Sequence, residues 1–126
     1  MLRRTKDQRI VIVEDDADVK DALESYFKDR NEIRSFASAE QALAAHENLE
    51  GTTVFIIDYN LSGINGVQLF HNLRRRFPKA RYILITGEMN YDVADDTRKL
   101  GFDALMLKPF DFKILEDNIS ALVMNA

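Results

Sequence analysis

The sequence predicts a doubly wound α/β domain, in which a five-stranded parallel sheet carries five helices on its two faces. Short apolar runs at residues 10–13, 54–57, 82–85 and 104–107 indicate strands buried on both faces, and residues 33–36 form a weaker fifth candidate. Apolar residues at helical spacing follow these runs. Because strands and helices alternate strictly with short connections, we expect parallel strands joined by right-handed crossovers.

The first two predicted helices have recognisable starts. Asp16 or Asp18 can cap the first helix. Ser38 and Gln41 have the Ser-x-x-Gln form of a capping box and open a second helix that extends to about Asn48. The apolar stripe of the first helix consists of Val19, Ala22, Leu23, Tyr26 and Phe27.

The last three helices are bounded by residues that favour helix ends. The third follows a glycine-containing loop at residues 59–66 and stops before Pro78. The fourth covers about residues 91–100, with Gly101 suited to a left-handed cap, and Asp111 caps the fifth. The stripes of the third and fifth helices are Val67, Phe70, Leu73 and Phe77, and Phe112, Leu115, Ile119 and Leu122.

Length and composition predict one soluble domain across residues 1–126, with a core at about 8–124. Hydrophobic residues make up 46% and charged residues 30%, as in ordinary globular proteins, and the net charge of −4 argues against nucleic acid as the main partner. There is no cysteine, which fits a reducing compartment. No apolar stretch approaches the roughly 18 residues that span a bilayer. We therefore expect a cytoplasmic protein.

The residues that directly follow the predicted strands carry the candidate chemistry. In a parallel sheet the carboxyl ends of the strands lie at one edge, where α/β proteins bind their ligands. Three or more carboxylates, a hydroxyl and an ammonium are therefore expected to converge there. These residues are Glu14, Asp15 and Asp16 after the first strand, Asp58 after the third, Thr86 and Gly87 after the fourth, and Lys108 after the fifth.

This set of charges favours a metal ion and phosphate chemistry. Clustered carboxylates repel each other, and Mg²⁺, which prefers oxygen ligands, relieves that repulsion. Lys108 supplies a positive point charge of the kind that binds phosphate. Glu14, Asp15 and Asp58 carry three negative charges, which Mg²⁺ and Lys108 would balance. With no evident general base for water, the pattern favours capture of a phosphoryl group on Asp58 over rapid turnover.

These residues, at these separations and each at the end of a buried strand, resemble the receiver domains of bacterial two-component response regulators, including the chemotaxis-type receivers. The resemblance covers residues 8–124 and implies the flavodoxin-like strand order 2-1-3-4-5. It implies that Asp58 accepts a phosphoryl group from a phosphohistidine on a sensor histidine kinase or a phosphotransfer protein. It also implies that Asp15, Asp58 and the Asn60 backbone carbonyl ligate Mg²⁺ directly, and Glu14 through water.

The resemblance implies roles for the remaining strand-end residues as well. Lys108 would pair with the phosphoryl oxygens and precede a cis bond to Pro109. The Thr86 hydroxyl, the Gly87 N–H and Asn60 would bind the phosphoryl group. The region that changes on phosphorylation would be about residues 91–124, where a downstream protein, a fused output domain or a second copy would bind. The domain would signal and would not be a turnover enzyme, apart from its own phosphorylation and dephosphorylation.

Two positions differ from the family pattern. Leu105 stands three residues before the lysine, where many receivers carry an aromatic residue that moves with the threonine. Ser62 stands where many have proline, which predicts a less rigid loop after Asp58. Leu105 motivates an alternative reading, a receiver fold that docks to partners independently of phosphorylation.

Other readings fit the sequence less well. A haloacid-dehalogenase-type phosphatase needs a second aspartate where this chain has Asn60. A flavodoxin-like flavin site needs a phosphate-binding loop after the first strand, where acids stand instead. Taken one at a time, the acids at residues 14–16 could simply cap a helix, Thr86 could simply end a strand, and Lys108 could be a solvated surface residue.

Overall fold

Five parallel strands and five helices make up residues 8–87 and 91–124, the part of the chain that the computed structural model describes. The strands are β1 (Arg9–Val13), β2 (Glu32–Phe36), β3 (Val54–Asp58), β4 (Arg81–Thr86) and β5 (Ala104–Leu107). The helices are α1 (Ala17–Phe27), α2 (Ala39–Ala44), α3 (Gly66–Arg76), α4 (Tyr91–Leu100) and α5 (Phe112–Met124). The strand order is β2-β1-β3-β4-β5, which confirms the predicted doubly wound fold.

Alternate side chains of the strands form two hydrophobic cores, one on each face of the sheet. One core packs against α2, α3 and α4, and the other packs against α1 and α5. Every residue of the central strand β3 is buried. The first core includes Val11, Val13, Phe55, Ile57, Tyr82, Leu84, Leu69, Phe70 and Val93, and the second includes Ile10, Ile12, Ile56, Ile83, Ile85, Leu23, Phe27, Leu115 and Ile119.

Most of the predicted helix ends are present. Asp16, and not Asp18, caps α1, because its side chain accepts hydrogen bonds from the backbone N–H groups of residues 18 and 19. Asp111 Oδ1 accepts from the Lys113 N–H at 2.7 Å at the start of α5. Gly101 follows α4 with a φ of +93°, a conformation that glycine adopts without strain.

The second helix is shorter than the sequence predicts. It ends at Ala44, and a separate 3-10 turn covers His46–Asn48. Ser38 Oγ does cap Gln41 as predicted. The Gln41 side chain, however, accepts from the Ala37 N–H and not from the Ser38 N–H, so the reciprocal half of the expected capping box is displaced by one residue.

A complete capping box lies at the start of α3 instead, where none was predicted. Asn65 Oδ1 accepts from the Gln68 N–H at 2.9 Å, and Gln68 Oε1 accepts from the Asn65 N–H at 3.2 Å. The helix therefore begins at Gly66, and the loop that follows β3 covers residues 59–65. Within the described residues, no helix is both long and apolar enough to cross a bilayer.

Candidate functional site

The carboxyl ends of β1 and β3 bring two acidic side chains together at one edge of the sheet. The register pairs Val13 with Ile57, so Glu14 and Asp58, the next residues on each strand, leave the sheet side by side. Both are buried, at 0% and 2% exposure. The strand order reverses between β1 and β3: β2 lies on the outer side of β1, and β4 lies on the outer side of β3. The two carboxylates therefore lie at the point of the sheet where α/β folds form a crevice.

The ends of β4 and β5 bring the other predicted residues to the same edge. Thr86 ends β4 and is fully buried, and its carbonyl accepts from the Lys108 N–H at 2.7 Å. Gly87 follows it and is exposed. The bond from Lys108 to Pro109 is cis, as the resemblance implied.

The Lys108 ammonium connects the two buried carboxylates. Its Nζ lies 2.8 Å from Glu14 Oε1 and 3.3 Å from Asp58 Oδ2. Burial by itself would lower the pKa of Lys108, but the contacts with Glu14 and Asp58 outweigh burial and raise the pKa. The ammonium is therefore charged at neutral pH and faces the carboxylate at the end of the central strand.

Asp15 completes a cluster of three acids. Carboxylate oxygens of Glu14, Asp15 and Asp58 lie within 4.8 Å of one another. Asp15 is exposed, so the cluster is open to solvent on that side. Burial, with a further contribution from the adjacent Asp58, raises the pKa of Glu14 from 4.5 to about 7. Near neutral pH a fraction of Glu14 is therefore protonated, which reduces the negative charge of the cluster.

The donor set of this cluster fits Mg²⁺. Every side chain in it offers carboxylate oxygen, the ligand that this cation prefers. The Asn60 N–H donates to Asp58 Oδ1 at 3.1 Å, which fixes the start of the loop against the acids. A divalent cation would favour the ionised form of Glu14, which burial and the neighbouring Asp58 disfavour.

Sequence reasoning missed Gly66, which positions the loop without being a candidate ligand. A Cβ added to Gly66 would lie closer than 3.0 Å to the Asp58 carbonyl oxygen, so α3 can start here only with glycine. The Gly66 N–H also donates to the Tyr59 carbonyl at 3.3 Å. The Asn-Gly pair followed by Gln68 is the signal that could have located this helix start.

Comparison with known sequences gives a family. Residues 10–120 match the family model described as the response regulator receiver domain. The transcriptional regulatory protein FlgR of Helicobacter pylori is 32% identical over 113 residues, and the response regulator protein FleR of Pseudomonas aeruginosa is 29% identical over 113 residues. These matches cover 88% and 89% of this chain, which spans only 28% and 24% of the two regulators.

Solved structures show the same fold. A CheY-like receiver domain protein from Methanospirillum hungatei has a TM-score of 0.86 at 25% identity, covering 94% of each chain. The response regulator TrrA of Thermotoga maritima, solved in complex with Mg²⁺ and BeF, has a TM-score of 0.78 at 23% identity, covering 91% of this chain and 98% of its own. With five parallel strands in the order 2-1-3-4-5 and a family match across 10–120, the chain belongs to the response regulator receiver domains of two-component systems.

Proposed function

We propose that Asp58 is the phosphoacceptor of this receiver domain and takes its phosphoryl group from a phosphohistidine of a sensor histidine kinase or phosphotransfer protein. A carboxylate oxygen of Asp58 forms a bond to phosphorus while the phosphorus–nitrogen bond of the donor breaks. The electron pair of that bond stays on the histidine nitrogen. The product is an aspartyl phosphate, and the domain acts as a signalling module and not as a turnover enzyme.

The buried position of Asp58 beside Lys108 is the observation that carries this proposal. Asp58 Oδ2 faces the ammonium at 3.3 Å, while Oδ1 accepts from the Asn60 N–H. Each carboxylate oxygen is thus held by a donor, which fixes the orientation of the nucleophile. An ordinary strand-ending acid would be solvated, whereas this one is 2% exposed.

Asp15, Asp58 and the Asn60 carbonyl are proposed to bind Mg²⁺ directly, with Glu14 bound through a water molecule. When bound, Mg²⁺ supplies positive charge opposite the phosphoryl oxygens. The three acids and the raised pKa of Glu14 support this assignment. TrrA, one of the response regulators of known structure with this fold, was solved in complex with Mg²⁺ and BeF.

Lys108 is proposed to exchange its ion pairs with Glu14 and Asp58 for an ion pair with the phosphoryl oxygens when Asp58 is phosphorylated. The Thr86 hydroxyl and the Gly87 N–H are proposed to bind the same oxygens, and these contacts favour one of two conformations of the domain. A coupling of about 1–3 kcal/mol would change the affinity of a partner by roughly 5- to 150-fold.

The surface of β5 and its flanking helices α4 and α5 is proposed to carry the signal. Leu107 on β5 and Ile114 on α5 expose 45% and 53% of their surface and would offer apolar contacts to a partner. Leu105 is half-buried and packs against the core formed with α2, α3 and α4, so an aliphatic side chain takes the place of the mobile ring. The partner is a downstream protein, a fused output domain or a second copy, and residues 1–126 are proposed to act as one cytoplasmic receiver unit.

Phosphorylation in vitro tests the proposal. The protein is incubated with Mg²⁺ and acetyl phosphate, and its intact mass is measured. We expect one added phosphoryl group on the wild type and none on Asp58→Asn. Asp29→Asn, which changes an exposed aspartate just after α1, is the matched control and should be modified like the wild type. An unmodified wild type, or a modified Asp58→Asn, would contradict the proposal.

A further inference from the structure

The loop of residues 59–65 contains Asn60 and is held by hydrogen bonds at both ends. At its start, the Tyr59 N–H donates to the Ile85 carbonyl of β4 at 2.7 Å. At its end, Asn65 forms the capping box of α3. Between these points the chain has Ser62 and Gly63, both exposed. Leu61 before them is buried in the core formed with α2, α3 and α4. Neither Ser62 nor Gly63 limits the backbone as proline does, so this exposed pair depends on neighbouring contacts for its conformation.

A side chain from another element provides such a contact. Glu40, on the first turn of α2, extends to the loop, and its Oε2 accepts from the Ile64 N–H at 3.0 Å. The two residues are 24 positions apart in the sequence. Ile64 itself is half-buried and packs against the core formed with α2 and α3. The contact therefore joins the first turn of α2 to the part of the loop that follows the buried Leu61.

Gly63 makes room for this contact. Its φ is +73°, which favours glycine, and a Cβ at this position would lie closer than 3.0 Å to Glu40 Oε2. The carboxylate thus packs directly against the Cα of Gly63 while it accepts from the next residue. The loop conformation and the Glu40 side chain fit each other, and a larger side chain at residue 63 would displace the carboxylate.

We propose that Glu40 is a positioning residue for the Mg²⁺ site: by accepting the Ile64 N–H, it holds the loop so that the Asn60 carbonyl is in place before the cation binds. This inference rests on the proposed function of the acidic cluster. In this chain, which has Ser62 and not proline at residue 62, the Glu40 contact would restrain the loop. A preformed carbonyl ligand lowers the entropy lost when the cation binds.

The charge state of Glu40 suits this role. The hydrogen bond from the Ile64 N–H is the main reason that the pKa of Glu40 is lowered. The side chain is therefore ionised across the neutral range. A hydrogen bond between an N–H and a carboxylate is stronger than one between neutral groups.

Three variants test the role of Glu40. Glu40→Ala removes the acceptor, Glu40→Gln keeps a carbonyl acceptor of the same length without the charge, and Glu47→Ala removes an exposed glutamate from the following 3-10 turn as a control. Mg²⁺ affinity is measured by isothermal titration on each protein. Hydrogen exchange of the Ile64 amide is measured without Mg²⁺, and melting temperature is recorded to detect general destabilisation.

We expect Glu40→Ala to bind Mg²⁺ about tenfold more weakly, the lower end of the range for groups that orient metal ligands. Its Ile64 amide should exchange faster while its melting temperature changes little. Glu40→Gln should recover most of the affinity, and Glu47→Ala should match the wild type. Wild-type affinity in Glu40→Ala would overturn the inference, as would an equal loss in Glu47→Ala. If the wild type itself did not bind Mg²⁺, the proposed function would fail first, and the two failures are therefore distinguishable.

Discussion

Replacing Glu14 with glutamine should stabilise the metal-free protein at alkaline pH although it removes one partner of an ion pair. Burial raises the pKa of Glu14 from 4.5 to about 7 in the folded state, even with Lys108 2.8 Å away. The stability that protonated Glu14 contributes is thus fully present below pH 4.5 and is lost as pH rises through about 7. At 1.36 kcal/mol per pKa unit, the loss amounts to at most about 3 kcal/mol. Glutamine stays neutral and avoids this loss.

Urea unfolding followed by circular dichroism, in EDTA, measures this effect. The difference in the free energy of unfolding between Glu14→Gln and the wild type should be close to zero near pH 4.5. It should rise in favour of the variant, by at most about 3 kcal/mol, towards pH 8. The other titrating groups are the same in both proteins, so their contributions to the pH dependence cancel in this difference. Parallel pH profiles for the two proteins would refute the reasoning, because they would mean that Glu14 titrates at its ordinary pKa.

Adding Mg²⁺ should reduce the stability advantage of Glu14→Gln. At a Mg²⁺ concentration of about 100 times the dissociation constant, a bound cation stabilises the folded state by about 2.7 kcal/mol. Near pH 8 the wild type should gain this amount, and Glu14→Gln should gain less because it has lost an acid of the cluster. An equal gain in both proteins would show that Glu14 does not help to bind the cation.

Three further substitutions test the local packing, each by urea unfolding. Gly66→Ala should lower the free energy of unfolding by about 1–3 kcal/mol because its Cβ would overlap the last backbone carbonyl of β3. Gly87→Ala is the control and should change it little, since a Cβ there would have no neighbour within 4 Å. Equal effects of the two substitutions would contradict the overlap. Tyr26→Phe should cost about 1 kcal/mol because it removes the hydroxyl that donates to Glu116 at 2.9 Å, and an unchanged stability would mean that this bond between α1 and α5 contributes nothing. Asp16→Ala should cost about 1 kcal/mol through loss of the α1 cap, and a loss below a few tenths would argue against the cap.

The strands could be predicted because each is a short apolar run that ends in a polar residue. The carboxyl ends of parallel strands always lie at the same edge of the sheet. Glu14, Asp58 and Lys108, which lie at strand ends, could therefore be assigned to one edge from the order of the elements alone. The register that sets Val13 beside Ile57 then brings the first two carboxylates together. Chain order and sheet geometry together account for this part of the site.

The rest of the site depends on contacts that no local pattern specifies. The second helix breaks after Ala44, although the residues that follow it, Ala45 and His46, give no strong stop signal. The contact between Glu40 and Ile64 joins residues 24 apart, and either residue alone looks like an ordinary surface or packing position. The need for glycine at residue 66 comes from the backbone of β3, which approaches only after the sheet has formed.

Chemical mapping of the phosphorylated residue tests the central claim most directly. After exposure to acetyl phosphate and Mg²⁺, reduction with borohydride converts an aspartyl phosphate into homoserine, which peptide mass spectrometry locates. We expect homoserine at residue 58, dependent on Mg²⁺, with the other acids of the cluster unmodified. Homoserine at residue 15 instead of 58, or no reducible residue at all, would contradict the assignment of Asp58 as the phosphoacceptor.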